Sequence, residues 1–349
     1  MHPSTASALS RRRMLQLGLG AGLGAALAAC GTDGPATVGA SPAPRQTATS
    51  SGPVFDGETV SMSVYSRNHA SSPLFWEDFA PEGLSVDVQV FTGPSDMNRA
   101  MEARDLDFAL MGTYNTLIEA AEGFTSKIIG MVSRRGIGLI AGVDSGITSA
   151  ADLAGRRIAV PPAGVQVLVL THLLREAGLE LERDCEPVPL GFADHAAALA
   201  SGDVDAFAGT EPICATSVAD GIGVRFADPY DTPLGDFNTA LWAAPHMQQR
   251  PDLCQAALRM QRGAAEFLSP GGDNDRAVWR DLLVNDFELT ESVYDEVIDN
   301  VGALWRFGDE QRAQLEGAAA AMMDTGVLLS EPDFDALLAL DLVADVINE

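Results

Sequence analysis

The sequence predicts an α/β protein of two similar lobes followed by a largely helical C-terminal region. Three observations predict this class. Strand and helix patterns alternate from about residue 59 to residue 219, which is typical of parallel sheets with crossover helices. One strand-to-helix segment occurs twice, and from Arg250 to the end the patterns are nearly all helical.

The predicted elements follow in chain order. Alternating apolar residues predict strands at 59–65 and 85–91. Between them only a short helix is found, near residues 71–79. Further strands are predicted at 107–111, 128–132, 136–143, 157–160, 186–190 and 204–208. Further helices are predicted at 96–104, from 113, after Ser149, and at 165–177, 194–200 and 212–219.

The repeated segment reads DLDFALMGT at 105–113 and DVDAFAGT at 203–210. Any buried α/β strand can look like this, so chance similarity stays open. The alternative is that the two copies occupy equivalent places in two lobes. Ligands of such sheets bind beyond the carboxyl ends of the strands, where helix N-termini present free N–H groups. Gly112-Thr113 and Gly209-Thr210 are then expected on opposite walls of one cleft.

The N-terminus predicts export. Arg11 to Arg13 precede an uncharged apolar run that ends in small residues before Cys30. This order is that of a signal peptide over residues 1–29, and the run is short for a membrane span. The string SRRRML at 10–15 resembles a twin-arginine signal, although the general secretory route stays open. The residues before Cys30 resemble a bacterial lipobox, which implies a lipid on its sulfur. A plain signal peptide with an ordinary thiol is the alternative.

Composition narrows the function. Residues 30–56 are rich in Gly, Ala, Ser, Thr and Pro, which predicts a flexible tether. The formal net charge of −27 argues against a nucleic-acid partner, which demands Lys and Arg. The sequence contains no GxSxG, HExxH or Walker motif, and its histidines lack metal-ligand spacing. We therefore predict neither an enzyme nor a metal or cofactor site. Cys185, Cys214 and Cys254 leave open whether two of them form a disulfide.

Several segments resemble one protein family. Residues 145–160 read SGITSAADLAGRRIAV, residues 173–179 read LLREAGL, and residues 199–206 read LASGDVDA, with Glu211-Pro212 five residues further on. In this order they resemble type II periplasmic solute-binding proteins of ABC importers. The most similar branch binds nitrate, aliphatic sulfonates, taurine or thiamine pyrimidines. The resemblance covers roughly residues 105–244.

The resemblance implies two α/β lobes joined by two hinge strands, with lobe 1 at 57–140 and 245–349 and lobe 2 at 141–244. The lobes would close on a small anionic or heteroaromatic solute and present it to an ABC permease. The implied protein is a monomer, outside the cytoplasm, anchored to the cell membrane through Cys30. A ligand sensor that presents its closed form to a membrane receptor is the alternative, and an enzyme on the same scaffold is a third.

Two departures from the branch leave the solute open. The long first helix of the branch is absent, and the loop PPAGVQ at 161–166 lacks the hydroxyl pair that helps to hold a sulfonate or nitrate in relatives. The predicted ligand-binding residues follow the ends of the strands: Ser66, Arg67, Asn68, Gly112, Thr113, Tyr114, Gly164, Val165, Gln166, Thr210 and Glu211. Arg67 is expected to pair with an anionic group and Glu211 to accept from a donor such as an amine. For Arg67 a solvated surface role stays open, for Thr113 a helix cap, and for Glu211 a helix-initiating acid.

Overall fold

The computed structural model describes residues 54–91, 93–162, 164–232 and 234–349. The predicted signal peptide, Cys30 and the tether up to residue 53 lie outside these residues. Within them, no helix is both long and apolar enough to cross a membrane.

The strands of the described residues form two sheets. The first has the order β2-β1-β3-β10-β4-β11 and the second β7-β6-β8-β5-β9. The bounds are β1 Glu58–Tyr65, β2 Leu84–Phe91, β3 Phe108–Gly112, β4 Lys127–Arg135, β5 Ile137–Gly142, β6 Arg157–Val160, β7 Glu186–Pro189, β8 Ala206–Thr210, β9 Gly223–Arg225, β10 Phe237–Ala243 and β11 Val301–Ala303.

Helices flank both sheets. The α-helices are α1 Pro94–Ala103, α2 Thr113–Ala121, α3 Val165–Glu176, α4 Leu181–Asp184, α5 Phe192–Ser201, α6 Ile213–Ala219, α7 Pro251–Leu268, α8 Arg276–Arg280, α9 Glu291–Val297, α10 Asp309–Asp324, α11 Phe334–Leu337 and α12 Ala344–Ile347. Short 3-10 helices include Ser72–Phe79 and Ala150–Leu153. The predicted α/β class is confirmed, and the first helix is short, as expected.

The two sheets repeat one arrangement, which explains the repeated segment. β3 runs parallel to β1 and antiparallel to β10, and β8 runs parallel to β6 and antiparallel to β5. The Asp107 carboxylate accepts from the Ser61 backbone N–H at 2.8 Å, and the Asp205 carboxylate accepts from the Arg157 N–H at 2.9 Å. Each aspartate of the repeated segment therefore joins the start of its central strand to the neighbouring parallel strand.

The chain passes between the sheets twice along the backbone before its C-terminal region. It leaves the first sheet after β4, enters the second at β5 through Gly136, and returns between β9 and β10. The exact lobe boundaries stay a prediction. The C-terminal region is mainly helical, but it also supplies β11, which pairs with β4. All three described cysteines are free thiols, so the possible disulfide among them is not formed.

Candidate ligand-binding cleft

The carboxyl ends of four parallel strands carry the predicted site residues. Ser66, Arg67 and Asn68 follow β1, and Gly112 ends β3 where α2 begins. Gly164 precedes α3 after β6, and Thr210 ends β8. In α/β sheets this edge is where ligands bind. The predicted residues therefore lie at the carboxyl-end edge of both sheets, and their contact with a ligand stays a prediction.

The two edges meet at a contact between His69 and Thr210. The Thr210 hydroxyl lies 3.3 Å from His69 Nδ1 and also donates to the Gly136 carbonyl at 3.1 Å. Gly136 lies on the first crossing between the sheets, with a φ of +87°. A Cβ at Gly136 would lie 2.3 Å from the imidazole, so glycine is required for this close approach. The loop after β1 and the end of β8 are thus brought together against the crossing segment.

His69 is a candidate site residue that sequence reasoning missed. The residue is 6% exposed, and its Nε2 makes no hydrogen bond among the described residues. Burial lowers the pKa of His69 to about 4, and the nearby Glu211 carbonyl opposes this shift only in part. The imidazole is therefore neutral at physiological pH. Its position four residues beyond β1, next to the predicted trio, was the available signal; the search for metal-ligand spacing passed over it.

Arg67 has a partner within the chain. Its guanidinium Nη2 lies 3.0 Å from Glu288 Oε2, and the Arg67 side chain is 29% exposed. Its Nε is buried and makes no hydrogen bond. Arg67 has a φ of +48°, which an L-residue adopts at a cost. The guanidinium thus retains one buried donor direction that the Glu288 pair does not use.

The other candidates of the first sheet surround this loop or begin α2. Ser66 is exposed, and Asn68 Oδ1 accepts from the Ala70 N–H at 2.9 Å, which shapes the turn. Gly112 is the N-cap of α2. Tyr114 is half-buried, and burial raises the pKa of its phenol. The side chain of Thr113 lies outside the described residues.

The second sheet contributes the N-terminus of α3. Val165 and Gln166 are buried in its first turn. Gly164 has a φ of +147°, and a Cβ there would come within 2.6 Å of Gln166 Oε1. The Gln166 amide is therefore packed over the backbone at the point where the free N–H groups of α3 begin.

Glu211 is fully buried and holds three donors from this chain. Its Oε1 accepts from Arg225 Nη2 at 2.7 Å and from Asn300 Nδ2 at 2.6 Å. Its Oε2 accepts from the Ala215 N–H at 2.9 Å. A buried carboxylate requires such pairing. Sequence reasoning missed Arg225 and Asn300, because neither lies in a motif; only the return of the chain from distant elements brings them here.

The described histidine, cysteine and acidic side chains include no metal-binding cluster, and the described thiols are buried. Among the described residues no group of three or more His, Cys, Asp or Glu side chains is arranged to hold a metal ion. Burial raises the pKa of the Cys254 thiol to about 12 and raises that of Cys185 and Cys214 as well. Thiols of this kind remain protonated and are poor nucleophiles at neutral pH.

The family model described as NMT1/THI5 like matches residues 79–269 of the chain, which is more than half of it. The chain belongs to this NMT1/THI5-like family. Its matched region includes both sheets' central strands and every candidate after β3. No curated protein matches the sequence closely enough to be reported.

Solved structures share the fold of this family member. The periplasmic aliphatic sulphonate binding protein SsuA from Escherichia coli is 19% identical, with a TM-score of 0.66, covering 80% of this chain and 91% of that chain. The periplasmic nitrate-binding protein NrtA from Synechocystis is 14% identical, with a TM-score of 0.65, covering 85% and 89%. The desulfurization enzyme DSZB is 20% identical, with a TM-score of 0.61, covering 83% and 99%. The periplasmic-binding-protein-like fold is thus confirmed.

Proposed function

We propose that this protein is an extracytoplasmic solute-binding protein that captures one small anionic or heteroaromatic solute between two lobes and delivers it to an ABC permease. The observation that carries the proposal is the meeting of the strand ends of both sheets at His69 and Thr210. The names of the sulphonate-binding and nitrate-binding neighbours support the same class of ligand.

The proposed binding set combines the neutral imidazole of His69 and the guanidinium of Arg67 with two helix N-termini. His69 Nε2 and Arg67 Nε are buried polar atoms without a hydrogen bond among the described residues. The first turns of α2 and α3 add free backbone N–H groups, which favour anionic or electron-rich atoms. Gln166 and Tyr114 complete the set as amide and aromatic contacts. The remaining proposed residues follow the same strand ends: Ser66, Asn68, Gly112, Thr113, Gly164, Val165 and Thr210.

Glu211 and Arg67 limit the solutes that this set accepts. A solute that binds the Glu211 carboxylate must displace Arg225 or Asn300, which leaves a buried donor unpaired. An anion that binds Arg67 competes with Glu288 for the guanidinium. We therefore propose a solute whose acceptor atoms face Arg67 Nε and the helix N-termini. Glu211 lies behind these donor groups and keeps its hydrogen bonds with Arg225 and Asn300.

We further propose that Cys30 carries a lipid and that the following tether holds a monomeric binder near its permease. The residues before Cys30 support this proposal, as does the polar composition of residues 31–53. Membrane fractionation tests it: the natural chain is expected with membranes, and the Cys30→Ala chain in the soluble extracytoplasmic fraction. A Cys30→Ala chain that stays with membranes in cells lacking the permease contradicts the anchor.

The enzyme DSZB has a similar fold, but this similarity does not change the proposal. The protonated, buried thiols of Cys185, Cys214 and Cys254 do not favour a nucleophilic mechanism. We propose binding without turnover as the activity of this chain.

A thermal-shift panel tests the proposed function. The purified full chain is heated with nitrate, alkanesulfonates, taurine, aminopyrimidines or polyamines. A solute at about a hundred times its Kd stabilises the folded chain by about 2.7 kcal/mol, so at least one of the first four classes is expected to raise the Tm. Failure of all four contradicts the proposal.

Arg67→Ala and Arg259→Ala then form a matched pair. Arg259 pairs with Glu349 at 2.7 Å and its side chain is 28% exposed, close to Arg67 in both respects. For an anionic hit, Arg67→Ala is expected to weaken binding at least tenfold, the scale of a charge-assisted hydrogen bond, whereas Arg259→Ala leaves it unchanged. Equal affinity of the two variants removes Arg67 from the site.

A further inference from the structure

The segment from Glu291 to Ala303, here called the strap, contacts elements that belong to each of the two sheets. Its N-terminal half, α9, packs on α6, the helix that follows β8 of the second sheet. The Glu296 carbonyl also lies 3.5 Å from Arg225 Nη2, at the end of β9. Its C-terminal half, β11, pairs with β4 of the first sheet. The strap therefore passes from one sheet's layer to the other.

Asn300 lies where the strap crosses. Its Nδ2 donates to Glu211 Oε1 at 2.6 Å and to the Ile137 carbonyl at 2.8 Å. Its Oδ1 accepts from the Tyr230 hydroxyl at 2.5 Å. Ile137 begins β5 after the first crossing, and Tyr230 lies in the second crossing between β9 and β10. One amide thus joins both crossing segments and the buried carboxylate.

The partners of Asn300 are also hydrogen-bonded to each other. The Ile137 N–H donates to the Tyr230 hydroxyl oxygen at 3.0 Å, so the two crossings are also bonded to each other. Burial raises the pKa of Tyr230 far above its ordinary value, which keeps the phenol a donor. Each member holds the others in place, and loss of one leaves buried polar atoms unpaired.

We propose that the strap is a third connection between the two lobes and that Asn300 is the positioning residue that sets how far they separate. The lobes then bend about three points rather than two. This geometry resists twisting and confines the motion to a small hinge rotation. The inference does not depend on which solute is bound.

The test measures the distance between the lobes in the solute-free full chain. Spin labels are attached through Val90→Cys beside the end of β2 and Val143→Cys directly after β5; Val90 is 37% exposed and Val143 is 47% exposed. Every labelled chain carries Cys30→Ala, and Cys185, Cys214 and Cys254 are buried and remain unlabelled. Pulsed electron paramagnetic resonance then gives the distance distribution at pH 7.5 and at pH 5.5.

Two substitutions of Asn300 separate loss of bonds from added charge. Asn300→Ala removes the bonds, and a longer mean distance at both pH values is expected. Asn300→Asp faces Glu211 and the Ile137 carbonyl with a second negative charge, so a larger increase is expected at pH 7.5.

Asn285→Asp, which adds the same charge outside the strap, is the matched control. Asn285 is exposed and its Nδ2 donates to Asp281 Oδ1 at 2.7 Å, outside the strap. The control is expected to keep the original distance. The proposal is overturned if folded Asn300→Ala keeps the original distance, or if Asn285→Asp lengthens the distance as much as Asn300→Asp does. Circular dichroism confirms folding, and Asn300→Ser replaces Asn300→Ala if that variant does not fold.

Discussion

His69 is the side chain whose chemistry depends most on its surroundings. It lies between Thr210 and Gly136, with a pKa lowered to about 4 by burial. No charged side chain contributes to that shift. The neighbouring charges are already paired, Arg67 with Glu288, Glu211 with Arg225, and Arg135 with Asp236. A protonated imidazole would therefore find no free carboxylate at this point.

The pKa of His69 predicts how stability depends on pH. The unfolded chain binds a proton at about pH 6.5 and the folded chain only near pH 4, so the contribution of His69 to stability is fully present above pH 6.5 and is lost as the pH falls to 4. The loss is about 3 kcal/mol. His69→Gln is expected to flatten this part of the curve in urea denaturation at several pH values. If the stability of His69→Gln falls between pH 6.5 and 4 as steeply as that of the unsubstituted chain, the assignment of this pH dependence to His69 is contradicted.

The elements of the sheets were largely predictable from sequence, whereas the contacts that join them were not. The apolar alternation of β1 and β2 is local, so the pattern alone indicates each strand. β11 was missed because Val301, Gly302 and Ala303 are too few to show alternation. The partners of Glu211 lie 14 and 89 residues away, and no local pattern records such pairings.

Gly136 in the first crossing segment and Gly123 have similar φ, but substitution is expected to affect stability differently at the two positions. Gly136 has a φ of +87° and Gly123 a φ of +80°. An alanine at either position pays the left-handed backbone cost of about 1–2 kcal/mol. Only at Gly136 does the new Cβ also meet the His69 ring, whereas nothing lies within 4 Å at Gly123.

Gly136→Ala is therefore expected to lower the free energy of unfolding by about 1–3 kcal/mol more than Gly123→Ala. Urea denaturation of both variants measures the difference. Equal losses would mean that the imidazole does not pack against the crossing segment. If the excess loss of Gly136→Ala over Gly123→Ala disappears in the His69→Ala background, the ring is identified as its cause.

The whole molecule combines two similar α/β units with connections near one edge of each sheet. The proposed solute site and the crossings are adjacent, because Thr210 faces His69 while Glu211 holds Asn300. Closure of the lobes on a solute at His69 and Thr210 is thus expected to move the strap directly. The acidic composition of the chain is compatible with this site, since the helix N-termini and Arg67 act at short range.

The central claim is that a small solute binds between two lobes and draws them together. The most direct measurement is the distance between spin labels at Val90→Cys and Val143→Cys in the Cys30→Ala chain, with and without the solute that gives the largest thermal shift. We predict a shorter and narrower distance distribution when one solute is bound per chain. A solute that stabilises the protein but leaves the distribution unchanged would contradict the account.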